Sequence, residues 1–377
     1  MERPVWADVD LAAIAANVRN ICQHVQPSTQ VMAVVKANGY GHGAVPVAKA
    51  ALDAGATYLG VALLSEVEEL RGAGITAPIL ILGYTPPELA GAALATGAAL
   101  TVFDLPTATA YSEAAQAAGK TLTVHLKVDT GMGRIGVLPE EAGDLAAAIA
   151  RLPGLDLEGI FSHFAASDSR DKSYAHAQWA AFQQVLAAVA KRGIRVPIRH
   201  IANSAAILEM PETHLDMVRA GIILYGLQPS DEVTFPFPLA PAMELKARIA
   251  HLKTVPAGTA ISYGCTFRTA RESVIATLPI GYADGWIRLM SNCAHVLVRG
   301  RRVPLVGRVC MDQCMIDVTD VPAVSVGDEA VLFGRQGGEF LSVDEVARHA
   351  GTINYETVCL VSYRVPRHYH GAGKSMP

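Results

Sequence analysis

About eight short, almost wholly apolar runs recur between residues 30 and 226, and all but the last lead into an alanine-rich stretch of helical period. They are TQVMAVVKA near residue 30, YLGVAL near 58, PILILG near 78, ALTVFD near 99, LTVHLKVDT near 122, DLEGIFSHF near 156, IRHIANS near 198 and MVRAGIILYG near 217. Runs that are apolar throughout, rather than at alternate positions, belong to strands covered on both faces, and alternation with helices makes such strands parallel. A doubly wound sheet usually stops at five or six strands, whereas eight units close on themselves as a (β/α)8, or TIM, barrel. The segment GLQPSDEVTFPFPLAP then breaks all periodicity with prolines and turn formers and reads as a linker. Beyond it β-formers cluster between Gly/Pro turns, and SVDEVARHAG alone looks helical. The expected fold is therefore an α/β TIM barrel over residues 1–235 followed by a C-terminal, mainly β domain over 236–377.

Of the 377 residues, 51% are hydrophobic and 18% charged, a balance that suits a large core and excludes extensive disorder. A formal net charge of −4 lacks the basic footprint of a nucleic-acid binder. No apolar run approaches the ~20 residues of a membrane span, and the start MERPVWADVDL has no charged region followed by an apolar one. These features predict a cytoplasmic protein whose partners are small molecules or other protein chains, with neither nucleic acid nor membrane among them. The six cysteines contain no CxxC pair and read as reduced thiols without a metal.

The first run ends in VVKANGYGHG, which puts Lys36 at the carboxyl end of a barrel strand, where barrel enzymes keep their active sites. An ammonium in apolar surroundings is costly unless paired or neutralised, and a neutral amine attacks carbonyls to form a Schiff base. A lysine that merely snorkels from the barrel rim is the alternative. At the ends of the last two strands stand Asn203 and Ser204, then Arg219, Gly221 and Ile222, where barrels commonly cradle phosphate. Ser204 offers a hydroxyl, Gly221 an unobstructed backbone N–H and Arg219 a partner for a ring nitrogen, although a serine in such a place also serves as a helix cap. An imine-forming lysine and a phosphate cradle on one barrel mouth point to pyridoxal 5'-phosphate. Residues 131–136, GMGRIG, spell the dinucleotide signature GxGxxG as well, but they follow a fifth strand instead of opening the domain, and Pro139 comes soon after.

Together with LKVDTGMGRIG, SHFAASD, NSAAIL, RAGIILYG, ISYG, LPIGYADGW, GRVCMDQ and TINYE, these residues make the chain resemble the bacterial alanine racemases, fold-type III pyridoxal phosphate enzymes, over nearly its whole length. The resemblance implies interconversion of L- and D-alanine by two bases, supplying D-alanine for peptidoglycan. It also implies a head-to-tail homodimer whose sites borrow residues from the other subunit's second domain. On this footing Lys36 is the cofactor lysine and the base facing D-alanine, and Tyr263 is the base facing L-alanine. A free phenol, with a pKa near ~10, is a poor base at neutral pH, so a network of His163 and Arg219 is expected to supply positive charge that stabilises a phenolate.

Arg219 would sit at the pyridine nitrogen and leave it unprotonated, with His200 supporting it. Arg134 would contact the substrate carboxylate region and the cofactor's phenolic oxygen. Lys127 would be carbamylated to hold Arg134, replacing repulsion by an ion pair. Tyr40, Ser204, Gly221, Ile222 and Tyr355 resemble the phosphate ligands, and Asn203 belongs with the cofactor-binding residues. Met311 and Asp312 resemble the substrate loop supplied by the partner, and Tyr282, Tyr355, Arg288 and Arg308 the access corridor. Two rival readings are a decarboxylase of the same fold type acting on a basic amino acid, and a cofactor carrier consisting of the barrel alone. The tyrosine of ISYG and the GRVCMDQ loop speak against the first, and the complete second domain against the other.

Overall fold

The computed structural model describes residues 3–371. Each apolar run forms a strand at its expected place. With Val5–Asp10 as β1, the runs are β2 Gln30–Val34, β3 Tyr58–Val61, β4 Ile79–Ile81, β5 Ala99–Val102, β6 Leu122–Lys127, β7 Leu155–Phe161, β8 Ile198–His200 and β9 Met217–Ala220. They lie side by side in the order β8, β7, β6, β5, β4, β3, β2, β9, all parallel. Every residue of β3, β4 and β5 is buried, which is why those runs carry no polar alternation. Two separate backbone bonds, rather than a ladder, join β8 to β9: Asp216 N–H to Arg199 O (3.2 Å) and Arg219 N–H to Ala202 O (3.0 Å). The Asp216 carboxylate already takes the backbone N–H and the guanidinium Nε–H of Arg199, at 2.8 and 2.6 Å, so a regular ladder has lost its donor there. The result is a nearly closed eight-stranded barrel.

No α-helix follows β9 directly; a 3-10 turn, Ile222–Tyr225, stands there. The helix Leu11–His24, which precedes the first barrel strand, is tied to this turn instead. Its Asn17 amide donates to Leu224 O (3.1 Å) and Ala240 O (2.9 Å). Side-chain caps begin two of the barrel helices, Asp104 accepting from Thr107 N–H (2.7 Å) and Asn203 from Ala206 N–H (3.2 Å).

The chain divides into two compact units. One takes Ala13–Gly39 and Ala44–Ala240, and the other takes Met1–Ala12, Tyr40–Gly43 and Pro241–Pro377, as far as these residues are described. The sequence reading groups β1 with the barrel, but its hydrogen bonds run to the second unit, antiparallel to Met243–Arg248 and parallel to Arg367–His370. Val5, Ala7 and Val9 are fully buried while Asp8 and Asp10 are not, a period-two pattern broken only by Trp6, which is buried on the other face. The sheet runs Arg301–Pro304, His295–Val298, Glu329–Gln336, Met243–Arg248, β1, Arg367–His370. A three-stranded sheet of His251–Val255, Ser273–Leu278 and Cys314–Asp317 stands beside it in the same unit. Val255, Ile261, Ile275 and Val306 form a small core there, with Phe267 and Met315 against it. A helix the periodicity did not predict, Asn354–Cys359, joins Val343–Ala350. Among the described residues no helix is long and apolar enough to cross a membrane.

Candidate active site

Lys36 leaves the carboxyl end of β2 into an unusual turn. Ala37, Asn38, Gly39 and Tyr40 all have positive φ, between 50° and 59°. Left-handed backbone costs an L-residue roughly 1–2 kcal/mol, so the three non-glycine residues among these four need outside support. Gly39 N–H closes the turn onto Val35 O (2.8 Å), and Ala44 N–H binds Asn38 Oδ1 (3.0 Å). Glu66, from the next strand–helix unit, accepts from Ala37 N–H at 2.5 Å with one carboxylate oxygen and from Ala62 and Leu63 N–H at 2.7 and 3.1 Å with the other. A carboxylate receiving three backbone donors is thus what fixes the chain beside Lys36.

Arg219 projects from β9 and is buried. It donates to His200 Nδ1 (2.9 Å), to Ser162 O (2.7 Å) and Ile201 O (3.0 Å), and to His163 Nδ1 (3.1 Å). Burial pushes its pKa down to about 9, leaving it a cation at neutral pH. Burial, and after it the charges of Arg219, Lys127, Arg134 and Lys36, hold His163 well below the usual histidine range. His163 is therefore a neutral acceptor, and the positive charge of the expected His163 and Arg219 network resides on the arginine alone.

Lys127, at the end of β6, is buried with Nζ 4.8 Å from the centre of the Phe161 ring, and Nζ has no hydrogen-bond partner among the described residues. Burial, then Arg219 and Arg134, drive its pKa far down against the opposing pull of Asp129. Arg219, Arg134 and Lys36 thus bring positive charge to bear on His163, while Lys127 beside them is held toward its neutral form, a field that suits an anion.

The cradle residues lie beside it. Ser204 Oγ accepts from Gly221 N–H (3.0 Å), joining the loops after β8 and β9, and Asn203 Oδ1 also accepts from the Ser167 hydroxyl (2.7 Å). Ile222 begins the 3-10 turn just after Gly221. The loop bearing Arg134 is held by Asp129, whose Oδ1 accepts from Gly131 and Gly133 N–H at 3.0 and 3.1 Å. A protein carboxylate occupies the glycine-rich nest that a dinucleotide phosphate would need, so GMGRIG serves as the arginine's loop.

The second unit carries the remaining candidates. Tyr40 and Tyr355 have ring centres 6.3 Å apart. Tyr263 opens a 3-10 turn flanked by positive-φ residues Ser262 and Cys265 and is 69% exposed. The Ser262 hydroxyl donates to Arg308 O (2.6 Å), bringing the Tyr263 turn against Arg308. Tyr282 N–H and Ala283 N–H bind Cys310 O and Met311 O, both at 3.0 Å, so the access and substrate-loop candidates form one exposed ridge. A Cβ on Gly281 would fall 2.2 Å from Cys310 O, so only glycine lets these loops meet. Asp312 pairs with Arg364 (2.6 Å), and Arg288 is exposed in its own 3-10 turn.

Glu66, His125, Glu158 and Gln178 escaped the sequence reading. Gln178 holds the loop after β7, accepting from Ala165 N–H (2.9 Å) and donating to His163 O (3.0 Å). The one available signal was spacing: His125 and Lys127 are two residues apart on β6 and so share a face.

Comparison with known proteins gives the family. The family profiles described as alanine racemase, N-terminal domain, and alanine racemase, C-terminal domain, match residues 9–229 and 242–369. The chain is 56% identical over 368 residues to an alanine racemase of Desulfovibrio desulfuricans, covering 98% of each chain. To one of Desulforamulus reducens it is 56% identical over 374 residues, covering 98% of this chain and 100% of that one. The crystal structure of alanine racemase from Bacillus anthracis with bound L-Ala-P superimposes with a TM-score of 0.91 at 44% identity, covering 99% of this chain and 97% of that one. With both domains matched and more than half of all positions identical to relatives of equal length, the chain belongs to the alanine racemase family.

Proposed function

We propose how the interconversion of L- and D-alanine, the activity of this family, is carried out here: Lys36 and Tyr263 act as bases on opposite faces of the substrate, with pyridoxal 5'-phosphate held at the barrel mouth. The carrying observation is the buried guanidinium of Arg219, a cation fixed by His200, His163 and two backbone carbonyls on the strand that pairs with the one leading to Lys36, a charge that fits an anionic group. When bound, the cofactor withdraws electrons from the amino acid and makes its Cα hydrogen acidic. Ser204, Gly221 and Ile222, with Tyr40 and Tyr355, would hold its phosphate, and Asn203 would fix the helix start beside them. Lys36 would hold its carbonyl carbon. Arg219 would face its ring nitrogen as a permanent donor, with no proton to give up at neutral pH.

Arg134 would bind the substrate carboxylate, and Met311 and Asp312 would close over the substrate from the partner subunit, with Tyr282, Arg288 and Arg308 lining the approach. A homodimer with shared sites accounts for why Tyr263, Met311 and Tyr363, at 69%, 54% and 94% exposure, are left uncovered on this chain. Use of the product in peptidoglycan and a cytoplasmic site of action complete the proposal. The test is incubation of the purified protein with L-alanine in deuterated water. D-alanine labelled at Cα is the expected product, and borohydride should fix the pyridoxyl group on Lys36; release of carbon dioxide, or an adduct on another lysine, would overturn the reading.

Lys127 gives a separate prediction. A buried amine pushed toward its neutral form by burial and by the charges of Arg219 and Arg134, with no hydrogen-bond partner among the described residues, is primed to add CO2: the nitrogen lone pair attacks carbon, one N–H proton leaves to solvent, and a carbamate anion remains. The anion would pair with Arg134. Intact-protein spectrometry under native conditions should show an increment of one CO2 that is acid-labile and absent from Lys127→Ala. Bicarbonate depletion should lower activity by about tenfold, and carboxylates such as acetate should partly restore Lys127→Ala.

A further inference from the structure

Behind Arg219 a chain of hydrogen bonds crosses the barrel unit to a carboxylate on β7. Arg219 meets His200 Nδ1 (2.9 Å), His200 Nε2 meets His125 Nδ1 (3.0 Å), and His125 Nε2 meets Glu158 Oε2 (2.8 Å), which also accepts from the Tyr58 hydroxyl (2.9 Å). Both imidazoles are fully buried, whereas the Glu158 side chain is 30% exposed. The direction of every proton follows from the ends. A guanidinium can only donate, so His200 Nδ1 is a bare acceptor and its proton sits on Nε2. His125 Nδ1 must then accept, its proton sits on Nε2, and only an acceptor can stand beyond it. Glu158 is that acceptor, and the N–H of His125, chiefly, holds its carboxyl below the usual range, so it is an anion.

The path is built into the strands. Gly159 lies across from His125, where a Cβ would come within 2.2 Å of His125 Nδ1, and the β6–β7 register shifts between Val124 and His125. Phe161 stacks on His200 at 4.7 Å and 3°, fixing the plane of that ring. Nothing in the chemistry assigned to Lys36, Tyr263 or the phosphate cradle uses His125, Glu158 or Tyr58.

We propose that Glu158 is the remote counter-charge of Arg219, coupled to it through His125 and His200 as a positioning residue. Its bearing on catalysis rests on the placement of Arg219 proposed above, whereas the coupling itself does not. The test uses full-length protein carrying 15N-histidine, before and after addition of pyridoxal phosphate. Wild type should show hydrogen-bonded Nε2–H resonances for both His125 and His200. Glu158→Gln keeps the shape but removes the charge, and both resonances should move upfield. Tyr58→Phe takes away a competing donor and makes the carboxylate a stronger acceptor, so both should move downfield.

Opposite shifts at His200, two links away, are what a general packing disturbance would not produce. A His200 resonance that moves in neither variant, or in the same direction in both, overturns the coupling, and Tyr58→Phe decides the point even where Glu158→Gln fails to fold. In kinetics Glu158→Gln should lower kcat about fivefold with KM little changed, and should have no further effect when Arg219 is already Gln. An equal loss in that background overturns the coupling. Opposite resonance shifts with unchanged kcat uphold it and count against the placement of Arg219 at the cofactor.

Discussion

Mixing a Lys36→Ala protein with a Tyr263→Ala protein under conditions that exchange subunits is expected to restore about a quarter of wild-type activity from two inactive parents. Each homodimer carries a defect at both sites. If the barrel of one subunit works with the second unit of its partner, a heterodimer concentrates both defects in one site and leaves the other intact. Free exchange at equal amounts makes about half the molecules heterodimers, each with one working site of two, hence the quarter. The measurement is racemase activity of the mixture against the separate variants, with heterodimer content checked by tagged pull-down. Verified exchange without recovered activity would place both bases in the same chain.

Tyr263→Phe should slow racemisation about 10²–10⁴-fold in both directions, since the equilibrium between enantiomers cannot change. Solvent exchange should not be symmetric. Lys36 still faces D-alanine, so deuterium enters Cα of D-alanine at a substantial fraction of the wild-type rate while L-alanine stays unlabelled. Nuclear magnetic resonance of each enantiomer in deuterated water reads the two rates separately. Equal loss of both exchanges, in a variant that folds and holds the cofactor, would remove the assignment of one base to each face.

The barrel was legible because its signal is local: β3, β4, β5 and β9 are buried along their whole length, and burial on both sides writes a nearly unbroken apolar word into the sequence. Lys36 stood out for the converse reason, a charge where that word should end. The placement of β1 was not legible, because VWADVD is a short amphipathic segment and nothing nearby in the sequence announces Met243–Arg248 and Arg367–His370 as its neighbours.

The left-handed turn was hidden as well. Ala37, Asn38 and Tyr40 are not residues that advertise positive φ together, and their support comes from a glutamate on another unit of the barrel. His125 and Glu158 carry no mark in the sequence that joins them, and they meet only when β6 and β7 are laid side by side. His163 shows the limit of carrying a role over by motif. The residue is in place, but its neighbours make it an acceptor rather than a source of charge.

The placement of β1 has a bearing on how the chain is made. On the ribosome β1 emerges before the barrel, and its two sheet neighbours, Met243–Arg248 and Arg367–His370, emerge after it. All eight barrel strands are synthesised between those events, so the barrel can assemble while the strand at its leading end has both edges open and Val5, Ala7 and Val9 without cover. The second sheet completes only when Arg367–His370 emerges. A nascent chain halted after the barrel would therefore present a ready strand for pairing with its neighbours on the polysome, an exposure to aggregation that ends stepwise as Met243–Arg248 and then Arg367–His370 emerge to cover its two edges.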